Sequence, residues 1–178
     1  MPNATITRTM ADTGRRRWCT ALLALAMSLG FAFVSAGSAA ASSPGDVIGT
    51  HFLRNWETGR CLDSNSAGAV YTSPCQFGNG YQTWSVIYRD HKNNDIVMIR
   101  NQATGRCLGF GTYLATGTCL NSSQFGYGLE LWEGVGAGWN KVELVSSLGG
   151  CLDSDRSGKA YVFNPCNGGG FQKWKLGF

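Results

Sequence analysis

Histidine is nearly absent: the 178-residue chain holds two, His51 and His91, and histidine is the side chain that ordinarily titrates near neutral pH. Neither lies in a nucleophile motif such as Gly-x-Ser-x-Gly, so triad chemistry has little to draw on. Cys-x-x-Cys pairs and histidine clusters are also missing, which leaves no zinc signature and no sign of a metal or other cofactor. Beyond Ser42 no stretch keeps an apolar helical period over three turns, which excludes a helical domain. Charge is sparse, at 15% of residues. Most of the net +4 belongs to the first 41 residues, where Arg8, Arg15, Arg16 and Arg17 face one acid, Asp12. The nearly balanced remainder has no electrostatic footprint for nucleic acid or an anionic membrane.

What is present begins with a leader. Arg15, Arg16 and Arg17 precede the apolar run "WCTALLALAMSLGFAFVSA", and the small residues "GSAAASS" follow. Basic, apolar and small-residue regions in that order read as a secretory signal peptide, 1–41, cleaved between Ala41 and Ser42. The run is close in length to a spanning helix, but its alanine-rich exit favours cleavage, so no membrane insertion is expected afterwards. The arginine run leaves a twin-arginine export route open beside the general one. A short linker, 42–48, then leads into one domain, 49–178, in a secreted, extracellular protein.

Cysteine makes the same point. Seven are present, and losing Cys19 with the leader leaves six, an even number that reads as three disulfides in an exported chain. Internal repetition selects the pairing. "TGRCL" occurs at Thr58–Leu62 and again at Thr104–Leu108, and "LGGCL" takes the same place at Leu148–Leu152. Each leading cysteine is followed by a second cysteine and then a tryptophan, as in "CLDSNSAGAVYTSPCQFGNGYQTW" and "CLDSDRSGKAYVFNPCNGGGFQKW". Equivalent units make equivalent bonds: Cys61–Cys75, Cys107–Cys119 and Cys151–Cys166. The units run about 49–94, 95–138 and 139–178. Within them "HFLRN", "IVMIRN", "KVELVSS", "AVYTS" and "AYVF" read as short strands, separated by glycine-rich turns. Units of this size cannot bury an apolar face alone, so three close around a shared axis as an all-β domain, each anchored by Trp84, Trp132 or Trp174. Closure also leaves no open sheet edge. Trp56 and Trp139 lie outside the motif, as rim or packing residues.

Three repeats of Cys-Leu-x, a second cysteine and a Gln-x-Trp-like ending resemble the ricin B-chain type lectins, the QxW-repeat family of β-trefoil carbohydrate-binding domains. The resemblance spans about Gly49 to Phe178. It implies a non-catalytic lectin that binds a galactose-like or xylan-like glycan. In that family the aspartate of Cys-x-Asp accepts hydrogen bonds from neighbouring sugar hydroxyls, work suited to a carboxylate with two acceptor oxygens. Asp63 and Asp153 match it, and Gln82 and Gln172 match the glutamine that braces it. The second repeat has Gly109 and Glu130 in these places, so its pocket is expected to be dead.

The family's stacking ring commonly stands two residues before the second cysteine, where this chain has Ser73 and Asn164. Tyr71 and Tyr161 are the substitutes. Alternation along a strand gives Tyr71 the right facing, whereas Tyr161 keeps it only if an extra residue near Phe163 forms a bulge, which makes repeat one the better site. Tyr81 and Phe171 replace the family's usual amide, so Asn79 and Asn167 are candidate donors, with Asn167 in "NGGG" also suited to a turn. This departure puts a galactose preference in question.

Other readings stay open. Asp63 and Asp153 are also suited to forming turns, and Tyr71 and Tyr161 to half-buried strand positions. A protease inhibitor on the same fold is the main alternative function, with "RDHKNND" at 89–95 as its loop. A glycoside hydrolase needs a carboxylate pair, and none is set apart. The sequence does not indicate an oligomeric state.

Overall fold

The computed structural model describes residues 41–120 and 129–177, so the leader lies outside it apart from its last residue. Twelve short strands occur among the described residues. Six of them are β1 (Val47–Asn55), β4 (Thr83–His91), β5 (Asp95–Asn101), β8 (Leu131–Val135), β9 (Val142–Ser146) and β12 (Lys173–Leu176). They pair antiparallel in the order β1-β4-β5-β8-β9-β12, and β12 pairs back onto β1. The sheet therefore closes into a barrel. The other six form three hairpins: β2 (Cys61–Ser64) with β3 (Val70–Ser73), β6 (Cys107–Phe110) with β7 (Leu114–Gly117), and β10 (Cys151–Ser154) with β11 (Ala160–Phe163). A six-stranded barrel with three hairpins is a β-trefoil, and the strand segments expected from sequence lie in β1, β3, β5, β9 and β11, overrunning them by at most one residue at either end.

Threefold repetition is clearest in the core. Leu53, Ile99 and Leu144 come from the opening strand of each repeat, Leu62, Leu108 and Leu152 follow the leading cysteines, and Trp84, Trp132 and Trp174 close the repeats. All nine are fully buried in one cluster. Each indole Nε1–H donates at 2.9 Å to a leucine carbonyl, of Leu62, Leu108 and Leu152 respectively. The tryptophans thus combine a large apolar area with a satisfied polar edge. Trp139 packs against the same cluster, whereas Trp56 stays half exposed.

The repeated "TGRCL" is a turn built on a buried asparagine. Asn55 Oδ1 accepts the backbone N–H groups of Glu57 and Thr58 and the Thr58 hydroxyl, and Asn101 does the same for Ala103 and Thr104. This local bonding sends the chain out of the barrel strand and into the hairpin. The hairpins then meet one another: Thr72 N–H donates to Gly158 O at 2.7 Å and Thr116 N–H to Gly68 O at 2.9 Å. Gly68 and Gly158 have φ of +95° and +98°, and a Cβ on either would lie 2.8 Å from a facing carbonyl oxygen. Both positions therefore require glycine.

The three disulfides join the expected pairs, with Cα–Cα distances of 5.1, 5.0 and 5.3 Å. Each closes a hairpin loop, worth about 3 kcal/mol in the chain-entropy account. No helix among the described residues is long and apolar enough to cross a membrane.

Candidate functional site

Asp63 and Asp153 lie on the second strands of repeats one and three, two residues after the leading cysteine, and both are almost fully buried. Their side chains are held the same way. Gln82 Nε2 donates to Asp63 Oδ2 at 2.9 Å and Gln172 Nε2 to Asp153 Oδ2 at 3.0 Å. Each glutamine is itself sealed from solvent, and its Oε1 accepts the backbone N–H of the residue after the second cysteine, Gln76 at 2.8 Å and Asn167 at 2.7 Å. The amide thus ties the end of the disulfide loop to the carboxylate. Burial pushes both carboxyls above the usual aspartate value, against the opposing glutamine hydrogen bonds. Asp153 Oδ1 is sealed from solvent and meets no partner at close hydrogen-bond geometry among the described residues, while the nearby Tyr161 hydroxyl favours the charged carboxyl.

Across each hairpin a tyrosine stands directly opposite the aspartate: Asp63 opposite Tyr71 and Asp153 opposite Tyr161. Cross-strand partners share a face, so both rings lie beside their carboxylate. Burial, and next the nearby aspartate charge, raise both phenols above the ordinary tyrosine value, and they remain protonated donors at neutral pH. Tyr161 faces Asp153 without the bulge near Phe163 on which its facing was conditional. Register runs without a break from Ser154–Ala160 to Cys151–Phe163, and the extra residue sits in the connection beyond β11, at Asn164 and Pro165.

That register exposes a residue missed by counting back from Cys166. Ser73 pairs with Cys61 and Phe163 pairs with Cys151, so Phe163, not Asn164, is the equivalent of Ser73. It is an exposed aromatic ring. Counting forward from Asp153 would have found it, because the strand keeps step with the aspartate while the disulfide loop absorbs the insertion. Phe163, Tyr161 and Phe171 line a cleft of about 270 Å³ with Asp153 at its base, and Arg156 and Asn167 also line it. Arg156 stands 5.7 Å from the Phe171 ring centre and Lys159 5.6 Å from that of Tyr161.

Asn79 and Asn167 are engaged in turns. Asn79 Oδ1 accepts Tyr81 N–H at 3.0 Å, and Asn167 Oδ1 accepts Gly169 N–H at 2.8 Å. Only their amide nitrogens are left to face a ligand, and that of Asn79 lies 3.5 Å from Gln76 Oε1.

In repeat two Gly109 faces Ala115 across the hairpin, so carboxylate and ring are both missing. Glu130 keeps half of the brace, its Oε1 accepting Leu120 N–H at 3.2 Å. The segment 89–95 is mainly strand. Arg89–His91 end β4, Asp95 begins β5, and the turn between them is closed by His91 Nδ1 and Asp95 Oδ1 at 2.9 Å and Asn94 Nδ2 to Glu133 Oε1 at 2.7 Å. Residues 90–93 are exposed there, in a short turn between paired strands rather than in a long loop.

No protein-family model matches this chain, and a search of curated proteins also finds no match. Solved structures do match it. A designed threefold-symmetric protein, ThreeFoil, is 20% identical, with a TM-score of 0.59 over 72% of this chain and 98% of its own. The hemolytic lectin CEL-III is 22% identical, with a TM-score of 0.58 over 77% of this chain. This chain accounts for 32% of that lectin's length. At these identities the likeness establishes a β-trefoil fold shared with a designed scaffold and with a lectin.

Proposed function

We propose that this protein is a secreted, non-catalytic lectin of the ricin B type, with sugar sites in repeats one and three. One observation carries the reading: Asp153, fixed through Oδ2 by Gln172, lines a cleft walled by Tyr161, Phe163 and Phe171. A sugar suits a carboxylate beside aromatic rings, since vicinal hydroxyls donate to carboxylate oxygens while the apolar ring face stacks on an aromatic side chain.

Repeat three is the more complete site. It carries Phe163 in the strand place where repeat one has Ser73, and its tyrosine needs no bulge to face the aspartate. Repeat one retains Asp63, Gln82 and Tyr71, with Tyr81 exposed beside them. The site residues are Asp153, Tyr161, Phe163 and Gln172, with Asp63, Tyr71 and Gln82 as the second set. Asn79 and Asn167 contribute mainly by shaping the turns. Shallow single sites of this type bind in about the millimolar range, and two on one rigid frame gain through avidity on a polysaccharide. Three disulfides fit an oxidising, extracellular setting, in line with the leader read from the sequence.

The test is a glycan array combined with polysaccharide pull-down, run on wild type and on Phe163→Ala. Retention of a defined glycan class that weakens severalfold in the variant is the expected result. A folded wild type that retains no glycan contradicts the reading.

A further inference from the structure

A second surface, on the barrel wall, breaks the threefold pattern. The residue preceding the buried asparagine of the first repeat, Arg54, pairs directly with Lys175 across β1 and β12. The equivalent pairs are Arg100 with Ser85 and Val145 with Glu133. Like charges set directly opposite on adjacent strands are destabilising, and the other two repeats avoid the arrangement. The neighbouring position diverges in the same repeat. Trp56, with 50% of its surface exposed, stands where Gln102 bonds Ser85 Oγ at 2.6 Å.

A third cation joins them, with Lys141 Nζ lying 4.5 Å from the centre of the Trp56 ring. Arg54, Trp56 and Lys175 line one cleft of about 290 Å³. The ion pairs among the described residues are His91–Asp95, Arg156–Glu57 and Lys173–Glu143, so Arg54, Lys141 and Lys175 have no acidic partner there. The Arg54 side chain is steadied by Nε donating to Gly59 O at 2.9 Å and makes no other hydrogen bond among the described residues. Three unpaired cations beside an exposed indole combine charge for an anion with a flat apolar surface for a ring.

We infer that this cleft binds the anionic substituent of an acidic saccharide, a carboxylate or a sulfate, with Trp56 as the platform for its ring. The ligand class rests on the lectin reading, but the place does not. The cleft lies near the repeat-three site: Glu57, next to Trp56, pairs at 3.3 Å with Arg156, which lines that site. An acidic polysaccharide held at Asp153 therefore has a second, charged contact within the same face.

Affinity electrophoresis through gels containing a neutral, a uronic-acid or a sulfated polysaccharide tests this, using wild type, Trp56→Ala, Lys141→Gln/Lys175→Gln and Asp153→Asn. Single-stranded DNA serves as a phosphate control. The expected result is retardation by an acidic gel that weakens as salt rises and falls about tenfold in the first two variants. The lysine variant should melt no lower than wild type, because it relieves the Arg54–Lys175 opposition. Comparing the uronic and sulfated gels identifies the anion. No retardation by either acidic gel, or retardation unchanged in the lysine variant, overturns the inference. Equal retention by DNA also overturns it, assigning the patch to phosphate. Asp153→Asn separates the two proposals, since loss of neutral-glycan binding in that variant reports on the aspartate site alone.

Discussion

Gly109 and Glu130 stand where the other repeats have aspartate and glutamine, and a Cβ built on Gly109 would lie 3.8 Å from Glu130 Cα. Glutamine serves two partners, donating to the aspartate and accepting a backbone N–H. Glutamate can only accept, so it suits a repeat whose aspartate is gone. The buried Glu130 carboxylate beside an aspartate would place two like charges together with no donor between them. Loss of the aspartate and loss of the amide are therefore one coupled change.

This coupling is measurable. Gly109→Asp alone should destabilise the protein by about 2 kcal/mol. Adding Glu130→Gln restores the donor and should recover most of that loss. Urea titration of the two single variants and the double variant forms a thermodynamic cycle, and additive effects would show that the two positions are independent.

The three tryptophans should behave alike in stability, whether or not their repeat holds a sugar. Trp84→Phe, Trp132→Phe and Trp174→Phe each leave a leucine carbonyl without its indole donor, and each should cost about 1–3 kcal/mol. Thermal melts test this. A negligible effect at Trp132, the repeat without a carboxylate, would tie these rings to ligand rather than to the core.

Acid should affect binding and folding in opposite directions at the two aspartates. Burial raises both carboxyls, so the carboxylates proposed as sugar acceptors are lost as pH falls through a value above the usual range of about 4. Glycan binding should fade in mild acid, before ordinary carboxylates titrate. For folding the sign is reversed. A carboxyl whose folded pKa is raised adds stability that is fully present below its unfolded pKa and is lost as pH rises through the folded one. Asp153→Asn should therefore gain on wild type as pH rises from acid to neutral. Binding curves and melts across that range check both halves.

The fold was legible because threefold repetition turns weak local signals into strong ones. One Gln-x-Trp says little, but two, with Glu-Leu-Trp in the same place of the second repeat and three cysteine pairs, specify both the barrel and its disulfides. The aspartates and their glutamines were legible for the same reason. Phe163 was not, because an insertion in the disulfide loop shifts any count taken back from Cys166 while leaving the strand register untouched. The Trp56 cleft was hidden for a different reason: Arg54 and Lys175 are far apart in sequence and meet only when the last strand closes the barrel on the first.

The central claim is that two aspartates, each braced by a glutamine, hold sugar. Isothermal titration of wild type, Asp63→Asn, Asp153→Asn and the double variant, with a glycan identified on the array, tests it most directly. Asparagine keeps an oxygen for the glutamine donor, so all four proteins should fold. The account predicts weaker binding in each single variant, with the larger loss at Asp153, and no binding in the double variant. Undiminished affinity in a folded double variant would contradict it.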